Sequence, residues 1–201
     1  DRNINADITV IIPTLNEEEG IGPTLQDIIR VLDGANLLII DGNSTDKTVE
    51  IAKKFGAKVK IQEGEGKGLA VAQALRHVDS NTRYVIFMDG DFTYPASYIP
   101  KMIELLDNHR DVGMVAGNRF PSGFQISNMP NILYTGNRLI ALVHNMLNGV
   151  QMRDPLTGLR VVRWKTLKDW KPESKSFEME VELNHYVERK GYKIMEIPIY
   201  Y

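Results

Sequence analysis

Two aspartates one residue apart, Asp89 and Asp91, close the apolar run Tyr84-Val85-Ile86-Phe87-Met88. Packing does not require two acids at the end of a buried strand, and their mutual repulsion is unfavourable unless a cation lies between them. A hard divalent cation meets that need, because Mg²⁺ or Mn²⁺ is commonly held by one or two carboxylates together with substrate phosphates. The plain alternative is a polar turn ahead of Pro95, and so short a motif does not decide by itself. Four other strand ends carry comparable groups. They are Pro13-Thr14-Leu15-Asn16-Glu17, Asp41-Gly42-Asn43-Ser44-Thr45-Asp46, Gly64-Glu65-Gly66-Lys67-Gly68 and Gly117-Asn118-Arg119. Open parallel sheets bind ligands at the carboxyl ends of their strands, so solvation alone does not explain such a set.

Single residues in these motifs keep second readings. Asp41 ends a buried strand before a glycine, where it serves either as a turn residue or as an acceptor for the imide N–H of uracil. Asp46 is a ligand contact or a first-turn helix acid, and Asn16-Glu17-Glu18-Glu19 equally suits a solvated helix start. His77, His109, His144 and His185 lack ligand spacing, and Trp164 and Trp170 read as packing residues. The glycine-rich loop at 64–68 invites comparison with a dinucleotide-binding fingerprint, yet Leu69 stands where the third glycine belongs. That loop also follows the third strand instead of the first.

The elements that must position these residues alternate regularly. Strands are expected at Ile8–Pro13, Leu37–Asp41, Lys58–Gln62, Tyr84–Asp89 and Val112–Gly117. Helices are expected between them at Ile21–Leu32, Thr45–Phe55, Leu69–Val78 and Ser97–Asn108, with Ser44 or Thr45 capping the second. The pattern predicts an α/β fold with a mostly parallel sheet covered by helices on both faces. After Arg119 the pattern changes. Pro121-Ser122-Gly123 opens a loop, and Asn131–Leu147 has helical spacing, with an apolar face containing Leu139, Ile140, Val143 and Met146. Its polar back is Asn137, Arg138, His144 and Asn145. A turn at Asp154-Pro155, a strand near Leu159–Arg163, a loop at Lys171–Lys175, a helix Phe177–Arg189 and a strand Lys193–Tyr201 complete the chain.

With 201 residues, 43% hydrophobic and 25% charged, the composition suits one globular domain with a sizeable core. A net charge of −2 and the lack of any dense basic block argue against a nucleic-acid partner. There is no cysteine, so neither disulfides nor thiolate-held metals arise. No run of about 18 apolar residues occurs, so no segment is expected to span a bilayer, and no signal-peptide pattern is visible. The chain begins at Asp1 and stops within a strand at Tyr200-Tyr201, which admits a longer native sequence.

Taken together, Val10-Ile11-Ile12-Pro13-Thr14-Leu15-Asn16-Glu17, Asp41-Gly42-Asn43-Ser44-Thr45-Asp46-Lys47-Thr48 and Asp89-Gly90-Asp91 resemble the GT-A glycosyltransferases of family 2. Gly117-Asn118-Arg119-Phe120 and Asp154-Pro155-Leu156-Thr157-Gly158-Leu159-Arg160 are similar to its polyprenyl-phosphate branch, which includes dolichyl-phosphate mannose synthases. The second motif and Gly117–Phe120 resemble, in particular, archaeal enzymes that load the first sugar onto dolichyl phosphate for S-layer N-glycosylation. The resemblance covers nearly all of the chain from Ile8 to Tyr201.

It implies a single GT-A (Rossmann-like) catalytic domain over 1–201, with a nucleotide-sugar-binding half at 1–120 and an acceptor-side half at 121–201. Pro13, Asn16, Glu17 and Asp41 would form the nucleotide pocket, with Lys67 near the base or phosphates. Asp89 would lie near the ribose and metal, next to Gly90, and Asp91 would be the main ligand of Mg²⁺ or Mn²⁺. Arg119 and Arg163 match positions near the donor pyrophosphate or acceptor phosphate, and Asp154 matches the acid of an Asp-Pro-x-Ser-Gly motif in which Thr157 replaces serine. Thr93 stands where mannose synthases often carry glutamine, leaving a third protein ligand open. The basic residue common before the interfacial helix is missing around Asn131, so Arg138 is the substitute.

The reaction so implied is inverting transfer from a nucleotide sugar, with UDP-GlcNAc or UDP-glucose favoured, to a polyprenyl (dolichyl) phosphate. It would occur at the cytoplasmic face of the cell membrane, the protein being peripheral. Such an acceptor is largely ionised near pH 7, since its second pKa is roughly 6, so alignment and charge screening matter more than a general base. The 131–147 helix would lie on the membrane surface or pack into the core, and Arg138, Arg160 and Arg163 with Arg119 would face the acceptor phosphate. GDP-mannose is the alternative donor. A sugar-1-phosphate nucleotidyltransferase would instead need a glycine- and arginine-rich loop after the first strand. A non-catalytic nucleotide-sugar-binding module would not need Asp91, Arg119 and Asp154 together.

Overall fold

The computed structural model describes residues 5–120, 131–149, 151–174 and 178–200, so the expected loop opening at Pro121 and the residues Phe177 and Tyr201 lie outside the described residues. The elements in chain order are β1 (Ile8–Thr14), α1 (Ile21–Val31), β2 (Asn36–Asp41), α2 (Thr48–Lys54), β3 (Lys58–Ile61), α3 (Lys67–Leu75) and β4 (Tyr84–Phe87). Then come α4 (Ile99–Asn108), β5 (Val112–Asn118), α5 (Asn131–Asn148), β6 (Arg160–Arg163), α6 (Trp164–Leu167), α7 (Glu178–Arg189) and β7 (Lys193–Pro198). The strands form one seven-stranded sheet in the order β3-β2-β1-β4-β6-β5-β7. Only β6 runs against its neighbours, pairing antiparallel with both β4 and β5. The expected mostly parallel, helix-flanked sheet is therefore present.

Strand alternation divides the core between the two faces. Val10, Ile12, Ile39, Ile86 and Val161 face α1, α2 and α4, meeting Leu25, Ile28, Ala52, Met102 and Leu106. Ile11, Leu38, Ile40, Val85 and Val162 face α3 and α7, meeting Val71, Ala74, Leu183 and Val187. The central strands are apolar on both faces, which is why they read as continuous runs.

Two helix starts differ from expectation, one later and one earlier. The second helix starts at Thr48, with neither Ser44 nor Thr45 capping it. Asp46 does the work of a cap: its Oδ1 accepts from the Thr48 N–H at 2.9 Å, and its Oδ2 from the Glu18 N–H at 3.1 Å. At the third helix the glycine loop feeds directly into Lys67, two residues before the expected start at Leu69.

The polarity of α5 is inverted relative to a core helix. Leu139, Ile140, Leu142, Val143 and Met146 are exposed, Met146 by 76%, whereas His144 is 4% exposed. Of the polar back, His144 and Asn145 face the body of the protein. Asn145 donates to the Met152 carbonyl at 2.8 Å and accepts from the Met152 N–H at 3.0 Å, and His144 Nε2 lies 3.3 Å from Asn184 Nδ2. Packing of the apolar stripe wholly against the sheet is thus not what this chain does. No described helix is long and apolar enough to cross a membrane.

Burial holds the His144 imidazole below its ordinary pKa, with the charges of Arg160 and His185 adding to the effect and the Asn145 hydrogen bond opposing it. The unfolded chain binds this proton near pH 6.5 and the folded chain resists it, so stability is full above about pH 6.5 and falls as the pH drops below it. Acidification from about pH 7.5 to about 5.5 is therefore expected to lower amide protection, measured against the intrinsic exchange rate at each pH, in α5 more than in β1. His144→Gln should abolish that difference. Equal pH response in both elements would refute the coupling.

Candidate active site

Parallel pairing aligns the ends of β1 and β2, with Thr14 opposite Asp41. That register buries Asp41 completely. Its Oδ1 accepts from Thr14 Oγ1 at 2.8 Å and Ser44 Oγ at 2.6 Å, and its Oδ2 from the Ser44 N–H at 2.8 Å. Asp41 is therefore a brace beneath the cleft and not a surface acceptor for a base, correcting that expectation. Asn16 clamps the same two loops: its N–H donates to Ser44 Oγ and its Oδ1 accepts from the Thr45 N–H, both at 2.8 Å. The Glu17 N–H donates to Thr48 Oγ1 at 2.8 Å. Asn16, Asn43 and Phe92 all adopt positive φ (54°, 65° and 63°), so among the described residues the left-handed non-glycine positions sit in strand-end loops. Such conformations concentrate at functional sites.

Above this brace lies a cavity of about 670 Å³ lined by Pro13, Glu17, Asn43, Gln62, Lys67 and Asp89 among others, within the range of small-molecule sites. Gln62 and Asn43 were not singled out from sequence. Gln62 Nε2 donates to the Gly66 carbonyl at 2.8 Å, and Gly64 and Gly66 have φ of 87° and 96°, so the loop shape requires glycine at both.

Asp89 lies just beyond β4 and is gripped from two sides. Lys67 Nζ sits 2.7 Å from Asp89 Oδ1 and 2.8 Å from Glu180 Oε1. On the other side a Cβ on Gly158 would meet Asp89 Oδ2 at 2.1 Å, and the Gly158 N–H donates to Tyr94 Oη at 2.8 Å. Glu180 was missed in the sequence. The available signal was an acid and an amide at i, i+4 (Glu180, Asn184) beside the stripe Met179, Leu183, Val187, all five buried.

Asp91 is exposed, and its Oδ1 accepts from the Thr93 N–H at 3.0 Å. The chain approaches so closely here that a Cβ on Gly20 would meet Asp91 Cα at 2.6 Å and the Gly90 carbonyl oxygen at 2.7 Å. Burial raises the Glu17 pKa, and the negative charges of Asp91 and Asp89 add to the effect; Glu17 and Asp89 both line the cavity. Among the described residues no group of three or more acids or histidines converges to hold a metal by itself. The donor set fits a hard cation held jointly by Asp89, Asp91 and the oxygens of a diphosphate, as Mg²⁺ and Mn²⁺ are commonly held.

Arg119 directly follows β5 and is locked to Asp154. Arg119 Nε and the backbone N–H reach Asp154 Oδ2 at 2.8 and 3.0 Å, and Nη2 reaches Oδ1 at 2.9 Å. Asp154 is 2% exposed, and its own N–H donates to Glu196 Oε1 at 2.9 Å. The planar fork leaves Arg119 one orientation. Asp154 thus positions a cation, and Met152, two residues earlier, is the anchor of α5.

Two expected arginines are elsewhere. Arg163 pairs opposite Tyr84, the first residue of β4, at the far end of the sheet from Asp89. Its guanidinium donates to the carbonyls of Val112 at 2.7 Å, His109 at 3.0 Å and Leu106. It cannot face a donor or acceptor phosphate at this cleft. Arg160 is 1% exposed, and donates to the carbonyls of Thr157 (2.9 Å), Pro155 (2.6 Å) and Glu180 (3.2 Å) and to Asn184 Oδ1 (2.6 Å). It braces the Asp154–Gly158 loop and is not available to an acceptor. The side chain of Arg138 lies outside the described residues.

Known proteins resemble this chain in sequence and in fold. The chain is 38% identical over 198 residues to the dolichyl-phosphate hexose transferase of Haloferax volcanii, covering 97% of this chain and 82% of that one. It is 28% identical to the dolichol-phosphate mannosyltransferase of Pyrococcus furiosus over 95% of this chain but only 55% of the relative's length. Among solved structures, glucosyl-3-phosphoglycerate synthase from Mycobacterium tuberculosis, in complex with Mn²⁺, UDP and phosphoglyceric acid, superposes with a TM-score of 0.74 at 24% identity. That match covers 95% of this chain and 68% of the other, and it speaks to the fold. The family description "Glycosyl transferase family 2" matches residues 9–168, and the chain belongs to that family.

Proposed function

We propose that this glycosyltransferase moves a sugar from a nucleoside-diphosphate sugar to a polyprenyl phosphate of the dolichyl type, with inversion, at the cytoplasmic face of a membrane. The observation that carries the acceptor side is the link between α5 and Arg119. An outward apolar face is tied through Asn145 to Met152, and the same loop carries Asp154, which aims Arg119. A lipid tail lying against that face would bring its phosphate toward an oriented cation. The relative in Haloferax volcanii, matched over nearly the whole chain, supports the same acceptor class.

On the donor side, Pro13, Glu17, Lys67 and Asp89 line the cavity that would take the nucleotide, with Asn16 and Asp41 holding its floor. Asp89 and Asp91 would hold Mg²⁺ or Mn²⁺, which supplies charge neutralisation for the leaving diphosphate. Arg119, fixed by Asp154, screens the two anions from each other while the acceptor oxygen is aligned with the anomeric carbon. The functional division, donor side in 1–120 and acceptor side in 121–201, follows this assignment. A UDP-sugar, UDP-glucose or UDP-GlcNAc, is the preferred donor; GDP-mannose is the competing one.

Transfer assays in liposomes containing a long-chain polyprenyl phosphate, run with each of the three donors, test both halves. Wild type should use a UDP-sugar, and Leu139→Asp with Val143→Asp should lose about 10-fold or more on the long-chain acceptor while keeping its rate on a short soluble analogue. Use of GDP-mannose alone would overturn the donor assignment. Equal loss on both acceptors, or none, would return α5 to a structural role.

A further inference from the structure

We propose that Glu180 is a positioning residue for the donor site: it receives Lys67 when a divalent cation takes the place of Lys67 on Asp89. The inference rests on the metal-binding reading of Asp89 and Asp91 and assigns a function to a residue outside that pair.

One ammonium bridges two carboxylates here, at 2.7 Å from Asp89 Oδ1 and 2.8 Å from Glu180 Oε1. The two acids differ in surroundings. The Asp89 side chain is 32% exposed at the cavity wall, whereas that of Glu180 is 4% exposed behind it. A metal ion reaching Asp89 from the cavity meets a carboxylate already neutralised by Lys67, and two cations on one carboxylate repel. Lys67 has to release Asp89 for the ion to bind. The Lys67 side chain is 24% exposed, so release without a second partner would leave a poorly hydrated charge unpaired.

Glu180 is built to prevent that. Its Oε2 is buried and has no hydrogen-bond partner among the described residues, which is acceptor capacity held in reserve. An ammonium has three donors, so a small rotation lets Lys67 engage both Glu180 oxygens as Asp89 turns to the ion. The acid is fixed from behind, because its backbone carbonyl accepts from the fully buried Arg160 at 3.2 Å and Asn184, one turn on, holds the same guanidinium at 2.6 Å. Lys67, Asp89, Glu180 and Arg160 together border a cavity of about 10 Å³, about the space that one water molecule needs.

In the Glu180→Gln variant Lys67 retains a full charge partner only at Asp89 and competes with the ion. Mn²⁺ affinity, measured by loss of the free-ion EPR signal at saturating UDP, should fall about tenfold. Adding Lys67→Met removes the competitor, so the double variant should recover to within about threefold of wild type. Recovery separates this role from a structural one, since a damaged α3–α7 contact would be worsened by a second change. Unchanged Mn²⁺ affinity in Glu180→Gln, or a double variant as weak as the single, overturns the proposal. Should Glu180→Gln fail to fold, Lys67→Met alone decides: Mn²⁺ binding at saturating UDP no weaker than wild type is expected, and weaker binding overturns the exchange. Wild type that binds no Mn²⁺ in the presence of UDP would overturn both this inference and the metal reading beneath it, an outcome distinct from the others.

Discussion

Asp91→Asn should reduce sugar transfer by about 10³-fold, equivalent to about 4 kcal/mol of transition-state stabilisation, with the melting temperature unchanged. The amide keeps the hydrogen bond from the Thr93 N–H and the same volume, so the turn survives while the negative charge goes. Asp91 is exposed at a strand end, where no core contact depends on it. The loss should fall on kcat and on metal affinity together, and excess EDTA should reduce wild type to a similar level. A variant with near-wild-type rates, or wild type indifferent to EDTA, would remove Asp91 and the metal from the reaction.

Gly158→Ala should be nearly as damaging although Gly158 carries no functional group. The added methyl would stand 2.1 Å from Asp89 Oδ2 and 2.9 Å from Tyr94 Cε2. The Tyr94 ring is itself held by the Gly158 N–H, so the carboxylate is the group that can yield, by rotating off its present position. A displacement of about 1 Å at a reacting centre costs about 10²-fold in rate, and overpacking adds about 1–3 kcal/mol of instability. The rate loss should exceed what thermal denaturation explains, and weaker Mn²⁺ binding should accompany it. Full activity in Gly158→Ala would mean that the orientation of Asp89 is not limiting.

What the sequence made legible was local. The near-continuous apolar runs Ile8–Pro13 and Tyr84–Phe87, each closed by turn residues, read as strands buried on both faces, and parallel strands must deliver their end loops to one rim. Register was not legible, and the misplaced residues follow from that. Arg163 and Arg160 sit in one strand with Val161 and Val162 between them, and only the antiparallel pairing of β6 with β4 shows that one is at the far end and the other beneath the loop. Asp41 reads as a ligand because its burial comes from Thr14 and Ser44 folding over it, a long-range consequence of the β1–β2 register. Periodicity found the apolar stripe of α5 but carries no sign; His144 and Asn145 decide which side docks.

The placement of β6 between β4 and β5 has a consequence for how the chain is made. During synthesis the β1 partner of β4 is already made when β4 emerges, yet the other edge of β4 has no partner until residues 160–163 emerge, and β5 needs the same segment. Loop closure this long is slow, and an unpaired edge bearing Val85 and Phe87 is a site for pairing with other chains. Residues 1–120 and 121–201 are therefore not expected to fold as separate pieces. A product cut after residue 120 would expose both edges and aggregate, and the aspartate rim would take shape only once the strand that follows Gly158 had closed the sheet.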